Sequence, residues 1–145
     1  MKSRANGEKA SVGRVFLVVM LPLLVAVCSC ATYNLRGNLD ETARAYGIAI
    51  RWKNFETAEL FVASSIRDQF EKRLKDVKDV EVMEYQIVTV DYDEANKKAT
   101  VNAEITYSTR SSNRIRTLID KQVWVYGEPK GSKEWRLMTL PPEFK

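Results

Sequence analysis

The chain predicts an α+β domain, with N-terminal helices packed on a curved four-stranded antiparallel sheet. Three observations predict it. Apolar residues recur every three or four positions up to about residue 76, and every second position from Val80 onward. The alternating segments are separated by short polar turns, as antiparallel neighbours require. All the helices precede all the strands, the order in which helices collect on one face of an antiparallel sheet.

In the first helical segment, Leu39, Ala43, Tyr46 and Ile50 mark one face from about Leu39 to Lys53. Asn38 is placed to cap it, and Asp40 and Glu41 fall in its first turn, where acidic groups suit the helix dipole. Asn54 breaks the pattern. A short second helix is expected over about Phe55 to Ala63, with Ala58, Phe61 and Val62 apolar. Ser65-Ile66-Arg67-Asp68 approximates a capping box with Asp in place of Glu, and opens a third helix carrying Ile66, Phe70 and Leu74 to about Asp76.

Beyond Val80, Met83, Tyr85 and Ile87 share one face of a strand, and Val88, Val90 and Tyr92 share the other. The switch at Ile87-Val88 predicts a bulge or sharp bend. Asp93 to Lys97 is a polar turn. Ala99, Val101, Ala103, Ile105 and Tyr107 then alternate with polar residues, the cleanest half-buried strand in the chain. Ser111 to Asn113 turns back into a long strand over Arg114 to Tyr126. There Ile115, Ile119, Val123 and Val125 oppose Leu118, Trp124 and Tyr126. Gly127 to Ser132, with Pro129 and Gly131, is a loop. Trp135, Leu137 and Thr139 form the last strand, which Pro141-Pro142 ends.

Ahead of the domain, residues 1–14 carry Lys2, Arg4, Lys9 and Arg14 against Glu8, and Val15 to Val27 is uncharged. A basic leader before an apolar run of this length has the form of a secretory signal. The run is too short to cross a bilayer as a straight helix, which needs about 20 apolar residues. Pro22 also interrupts it. An uncleaved anchor is the competing reading.

The segment ends in Val27-Cys28-Ser29-Cys30, which resembles the lipobox of bacterial lipoproteins: an aliphatic residue at −3, a small one at −1, then cysteine. The resemblance implies cleavage before Cys30, a diacylglyceryl thioether on its sulfur and acylation of its new amine. Cys28 is the rival site, disfavoured by branched Val27 at its −1 position. Two or more acyl chains make a stable anchor where one does not. The expected organisation is therefore a signal peptide over 1–29, a lipidated tether over 30–38 and a single domain over 39–145. Ala31, in place of the Asp that retains such proteins at the inner membrane in enterobacteria, points to the periplasmic face of the outer membrane.

Processing would also change the charge. The chain has 23 Lys+Arg and 19 Asp+Glu. Subtracting the leader's four basic residues and one acidic residue leaves 19 and 18, close to neutral. No nucleic-acid partner is expected, because a basic footprint must sit on the folded domain. The chain has no histidine. That removes Ser-His-Asp and Cys-His catalysis and the commonest metal ligand, so neither metal nor cofactor is expected.

Ala43-Arg44-Ala45-Tyr46 and Arg51-Trp52 on the first helix, with Trp135-Arg136-Leu137 and Leu140-Pro141-Pro142 at the end, resemble the nuclear-transport-factor-2-like (SnoaL-like, cystatin-related) cone over roughly Asn38 to Pro142. Such cones hold a pocket between the first helix and the concave sheet. Some are enzymes that use a Tyr or Asp lining it, as ketosteroid isomerases do. The resemblance makes Tyr46, Tyr85, Glu104, Tyr107 and Asp120 candidate pocket residues, with Gln122 beside them. Each also has an ordinary structural reading: a tyrosine in the core with its hydroxyl at the edge, or an acid on a solvated strand face.

Arg110, Arg114 and Arg116 cluster at the second hairpin. They could meet an acidic surface, or only guard a sheet edge. The three tryptophans are expected in the core or in a pocket wall. Three functions stay open: a non-enzymatic lipid-anchored module binding a small apolar ligand or envelope protein, an isomerase- or cyclase-type enzyme using a pocket acid and tyrosine, and a subunit that homodimerises through a sheet face bearing Leu118, Trp124 and Tyr126.

Overall fold

Helix α1 follows the predicted stripe. Leu39, Ala43, Tyr46 and Ile50 are all buried, joined by Ala49. The computed structural model describes residues 35–110, 112–127 and 133–144, and α1 is helical over 35–51. Asn38 therefore lies inside the helix rather than at its cap, and its carbonyl accepts a hydrogen bond from the Thr42 hydroxyl at 2.6 Å. Cys28, Ser29 and Cys30, with the whole leader, lie outside the described residues.

The end of α1 is a Schellman arrangement. Lys53 takes the left-handed conformation (φ 55°). Its amide bonds the Ile50 carbonyl at 3.1 Å, and the Asn54 amide bonds that of Ala49 at 2.8 Å. Asn54 then starts α2 (Phe55–Glu59), accepting from the Thr57 amide at 3.2 Å. One residue thus closes one helix and opens the next.

Helix α2 is shorter than its apolar pattern suggests, and the cause is tertiary. The Ala63 amide bonds the Leu137 carbonyl at 2.9 Å, and the Leu137 amide bonds that of Phe61 at 2.8 Å. Val62 thereby forms a parallel bridge to Leu137, and backbone committed to a strand edge is lost to the helix. Helix α3 (Arg67–Asp76) buries Phe70 and Leu74 as expected, but its N-cap is Ile66 and no side chain caps it. The predicted box fails because Ser65 sits one residue too early.

Four antiparallel strands follow in sequence order: β1 (Val80–Asp93), β2 (Lys98–Thr109), β3 (Ser112–Tyr126) and β4 (Trp135–Leu137). The β1–β2 turn is tied by Asp93, whose carboxylate accepts from the Asn96 amide at 3.1 Å and its Nδ2 at 2.7 Å. Strand β4 is shorter than predicted, and Thr139 instead accepts the Val123 amide through its hydroxyl at 3.3 Å.

The register of β1 corrects the sequence reading of its faces. Shifts occur between Val82 and Glu84 and between Ile87 and Thr89, so Met83 and Val88 are extra residues. Each bulge undoes the change of face that an extra residue would cause. Tyr85, Ile87, Val90 and Tyr92 pair with Ile105, Ala103, Val101 and Ala99, all on the same face of β2. Tyr85 and Ile87, and Val90 and Tyr92, expected on opposite faces, therefore share one face, while the bulge residues Met83 and Val88 are exposed.

The inner face carries the core. Tyr46 of α1 meets Phe61, Phe70 and Trp124 at ring-centroid separations of 6.4, 6.4 and 5.8 Å. This is the predicted α+β architecture, with the helices packed on the sheet. On β3 the inward set is Leu118, Asp120, Gln122, Trp124 and Tyr126, opposite inward residues of β2. Trp124 is wholly buried, so the face invoked for homodimerisation is the interior. The outward face carries Ile115 and Ile119, which are exposed.

Candidate functional site

Strand β3 places two polar residues in the middle of an apolar face. Asp120 pairs across with Ala103, and Gln122 with Val101. Both are buried, at 4% and 1% exposure. Gln122 is held from three sides. Its Oε1 accepts from the Trp124 indole nitrogen at 3.1 Å, and its Nε2 donates to Asp120 Oδ2 at 2.7 Å and to the Tyr85 hydroxyl oxygen at 2.6 Å. Indole N–H is only a donor, so Gln122 must turn its oxygen toward Trp124 and its nitrogen toward the acid and the tyrosine.

Burial sets the electrostatics of this cluster. It raises Asp120 to about 6, and the hydrogen bond from Gln122 offsets the rise only in part. Tyr85 is raised by burial, against the opposing hydrogen bond from Gln122 and with a contribution from Asp120. Tyr46 is raised well above the ordinary tyrosine range, first by burial and then by Asp120 and Tyr85. Both phenols are therefore neutral at physiological pH, and Asp120 is pushed up to about 6, well above the ordinary aspartate range.

Of the sequence-predicted site residues, Tyr46, Tyr85 and Asp120 come together, with Gln122 linking two of them. Glu104 does not join them. It pairs with Gln86 and Ile119 on the outward face, because it alternates with inward Ala103 and Ile105. Tyr107 is buried on the inner face but beside Val82 and Arg116, where its ring meets Phe144 at 4.9 Å. It is a core residue four positions along β2 from Ala103, the residue opposite Asp120.

Open space lies to one side of this cluster. A cleft of about 380 Å³ separates α1 from the edge strand β1. Arg44, Gly47, Ile48 and Arg51 line it from the helix, and Tyr85, Gln86 and Ile87 from the strand. Gly47 makes the close approach possible, since a Cβ there would lie 2.2 Å from Cε1 of Tyr85. Tyr85 thus belongs to both features: its ring walls the cleft and its hydroxyl enters the buried network.

The sequence reading missed the cleft residues apart from Tyr85. The available signal was the spacing of Arg44, Ile48 and Arg51, which puts them on one helix face beside a glycine. Trp52 departs from its expected burial. It is 73% exposed, with the Arg51 guanidinium carbon 5.8 Å from its ring centroid, whereas Trp124 and Trp135 lie in the core as expected. Arg110, Arg114 and Arg116 lie at the β2–β3 hairpin; Arg114 and Arg116 are exposed on β3. Among the described residues, no group of three or more His, Cys, Asp or Glu side chains could hold a metal ion, and no helix is long and apolar enough to cross a membrane.

No family model matches the chain, and no curated protein does. Among solved structures, it is similar to the solution structure of a SEC-C motif containing protein from Rhodopseudomonas palustris. The TM-score is 0.51 at 11% identity, covering 63% of this chain and 68% of that one. At that identity the likeness is one of fold.

Proposed function

We propose that the protein is a lipid-anchored component of the bacterial cell envelope, held at the periplasmic face of the outer membrane through Cys30. Its domain is a nuclear-transport-factor-2-like (SnoaL-like) cone acting as a non-enzymatic binding module. The Val27-Cys28-Ser29-Cys30 junction supports the address, and helices followed by an antiparallel sheet support the kind of domain.

The observation that carries the binding reading is the α1–β1 cleft. Its volume of about 380 Å³ falls within the usual range for small-molecule sites, roughly 300–1,000 Å³. The deeper space between α1 and the sheet is filled by Tyr46, Phe61, Phe70 and Trp124. A small ligand therefore seats against Ile48, Ile87 and the Tyr85 ring. The test uses the full chain in phosphatidylcholine nanodiscs with labelled isoleucine methyls. Octyl glucoside below its micelle concentration should shift Ile48 and Ile87 and leave Ile105 and Ile115 in place. Uniform or absent shifts would refute a ligand site there.

A second reading, an isomerase- or cyclase-type enzyme, is favoured by Asp120 titrating at about 6 in hydrogen-bond linkage with Tyr85. Against it stands the near-complete burial of Asp120 behind the Tyr85 wall. A turnover lost in Asp120→Asn with cleft occupancy unchanged would favour this second reading.

A further inference from the structure

We infer that the cleft takes a single-chain anionic amphiphile: an alkyl or acyl chain ending in a phosphate or carboxylate. The inference deepens the reading of the cleft as a ligand site and rests on it.

The charge of the lining is one-sided. Two arginines face the cleft and no acidic side chain does. Among the described residues, neither Arg44 nor Arg51 forms an ion pair, unlike Arg73 with Glu143 and Arg136 with Glu134. The Arg51 guanidinium carbon also lies 5.8 Å from the Trp52 ring centroid, within cation–π range. Planar guanidinium forks match the oxygens of phosphates and carboxylates. Both side chains are solvent-exposed, so their donors are open to a ligand entering the cleft.

The rest of the lining is suited to hydrocarbon. Ile48 is 60% exposed, and Ile87 and the Tyr85 ring face it across the gap that Gly47 leaves. Arg44 and Arg51 are seven residues apart, about 10 Å along the helix axis, with Gly47 and Ile48 between them. A headgroup held by one or both arginines sends its chain along Ile48 and Ile87. A neutral hydrocarbon would leave both guanidinium groups unused, and a bare anion would leave Ile48 in water. A folded protein partner would need a far larger contact than this cleft gives, about 800 Å² on each side.

The test extends the nanodisc experiment to three probes below their micelle concentrations: octyl phosphate, octyl glucoside and inorganic phosphate, with empty nanodiscs correcting for partition into lipid. Octyl phosphate should shift the Ile48 and Ile87 methyls with a Kd at least tenfold below that of octyl glucoside. Arg44→Gln/Arg51→Gln should erase that advantage, while Arg114→Gln/Arg116→Gln, an equal loss of charge elsewhere, should keep it. An unchanged Ile105 methyl confirms the fold of each variant. Equal affinity for both octyl compounds would overturn the anionic class and leave the binding site standing. Equal affinity for inorganic and octyl phosphate would overturn the amphiphile. If no probe moves Ile48 or Ile87, the ligand site itself fails, and the inference with it.

Discussion

Replacing Asp120 by Asn isolates the energetic cost of the buried acid. The side chain is buried, and its pKa rises from 3.8 to about 6. Each unit corresponds to about 1.4 kcal/mol, so ionised Asp120 disfavours the folded state by about 3 kcal/mol relative to the protonated form. The folded state binds the proton more tightly than the unfolded state. The stabilising contribution is therefore present in full below about pH 3.8, declines as pH rises and is gone above about pH 6. The groups facing Asp120 from other elements, Tyr46 on α1 and Tyr85 on β1, are held neutral throughout this range.

Asparagine keeps the shape and can accept the Gln122 hydrogen through its carbonyl oxygen, but it brings N–H groups that need partners at a cost of about 1–3 kcal/mol if unmet. D120N should therefore gain about 0–2 kcal/mol over the wild type at pH 7.5 and fall about 3 kcal/mol from that level relative to wild type toward pH 4. Denaturant unfolding at several pH values, followed through the buried Trp124 and Trp135, measures the difference. Groups common to both proteins, such as Asp93, lowered mainly by its Asn96 hydrogen bonds, cancel in it. A difference that stays constant from pH 4 to 7.5, or that grows as pH falls, would refute the electrostatic account of the cluster.

Gly47→Ala should lower the thermal midpoint, because its Cβ would meet the Tyr85 ring at 2.2 Å and overpacking of this kind costs about 1–3 kcal/mol; an unchanged midpoint would show that α1 and β1 separate freely. Asn54→Ala removes the acceptor for the Thr57 amide and should cost about 1 kcal/mol in denaturant unfolding, with no loss indicating that α2 is held by its tertiary contacts alone. Cys30→Ala should abolish palmitate incorporation and release the protein from membranes; retained labelling would move the anchor to Cys28. Tyr85→Phe removes an acceptor from Gln122 and should destabilise by about 1 kcal/mol, a loss that should vanish when Gln122 is also replaced by Leu.

Tyr46, Tyr85 and Asp120 were legible as candidates through the resemblance to the cone, which implies a pocket between the first helix and the sheet; that these three of the set meet was not. Glu104 was misplaced although the alternation of β2 already put it on the polar face, opposite the apolar Ala103 and Ile105; the resemblance to a pocket-bearing cone outweighed that local signal. Tyr107 was correctly inward but at the wrong end of the strand, a distance that only register fixes. The cleft was hidden because it depends on how closely α1 approaches β1, which Gly47 allows but does not announce.

The amino-acid sequence by itself determined the order of elements, the buried stripe of α1, the polar turn at Asp93–Lys97 and the presence of a bulge near Val88. These rest on local periodicity and turn chemistry, which act over a few residues. Tertiary structure alone decided three things. Pairing with β2 put both halves of β1 on the inner face. Hydrogen bonds to Leu137 ended α2 early. Packing enclosed Asp120 and Gln122 in the core, with Asp120 buried deeply enough to titrate at about 6. Burial and register depend on residues distant in the chain, so no local pattern encodes them.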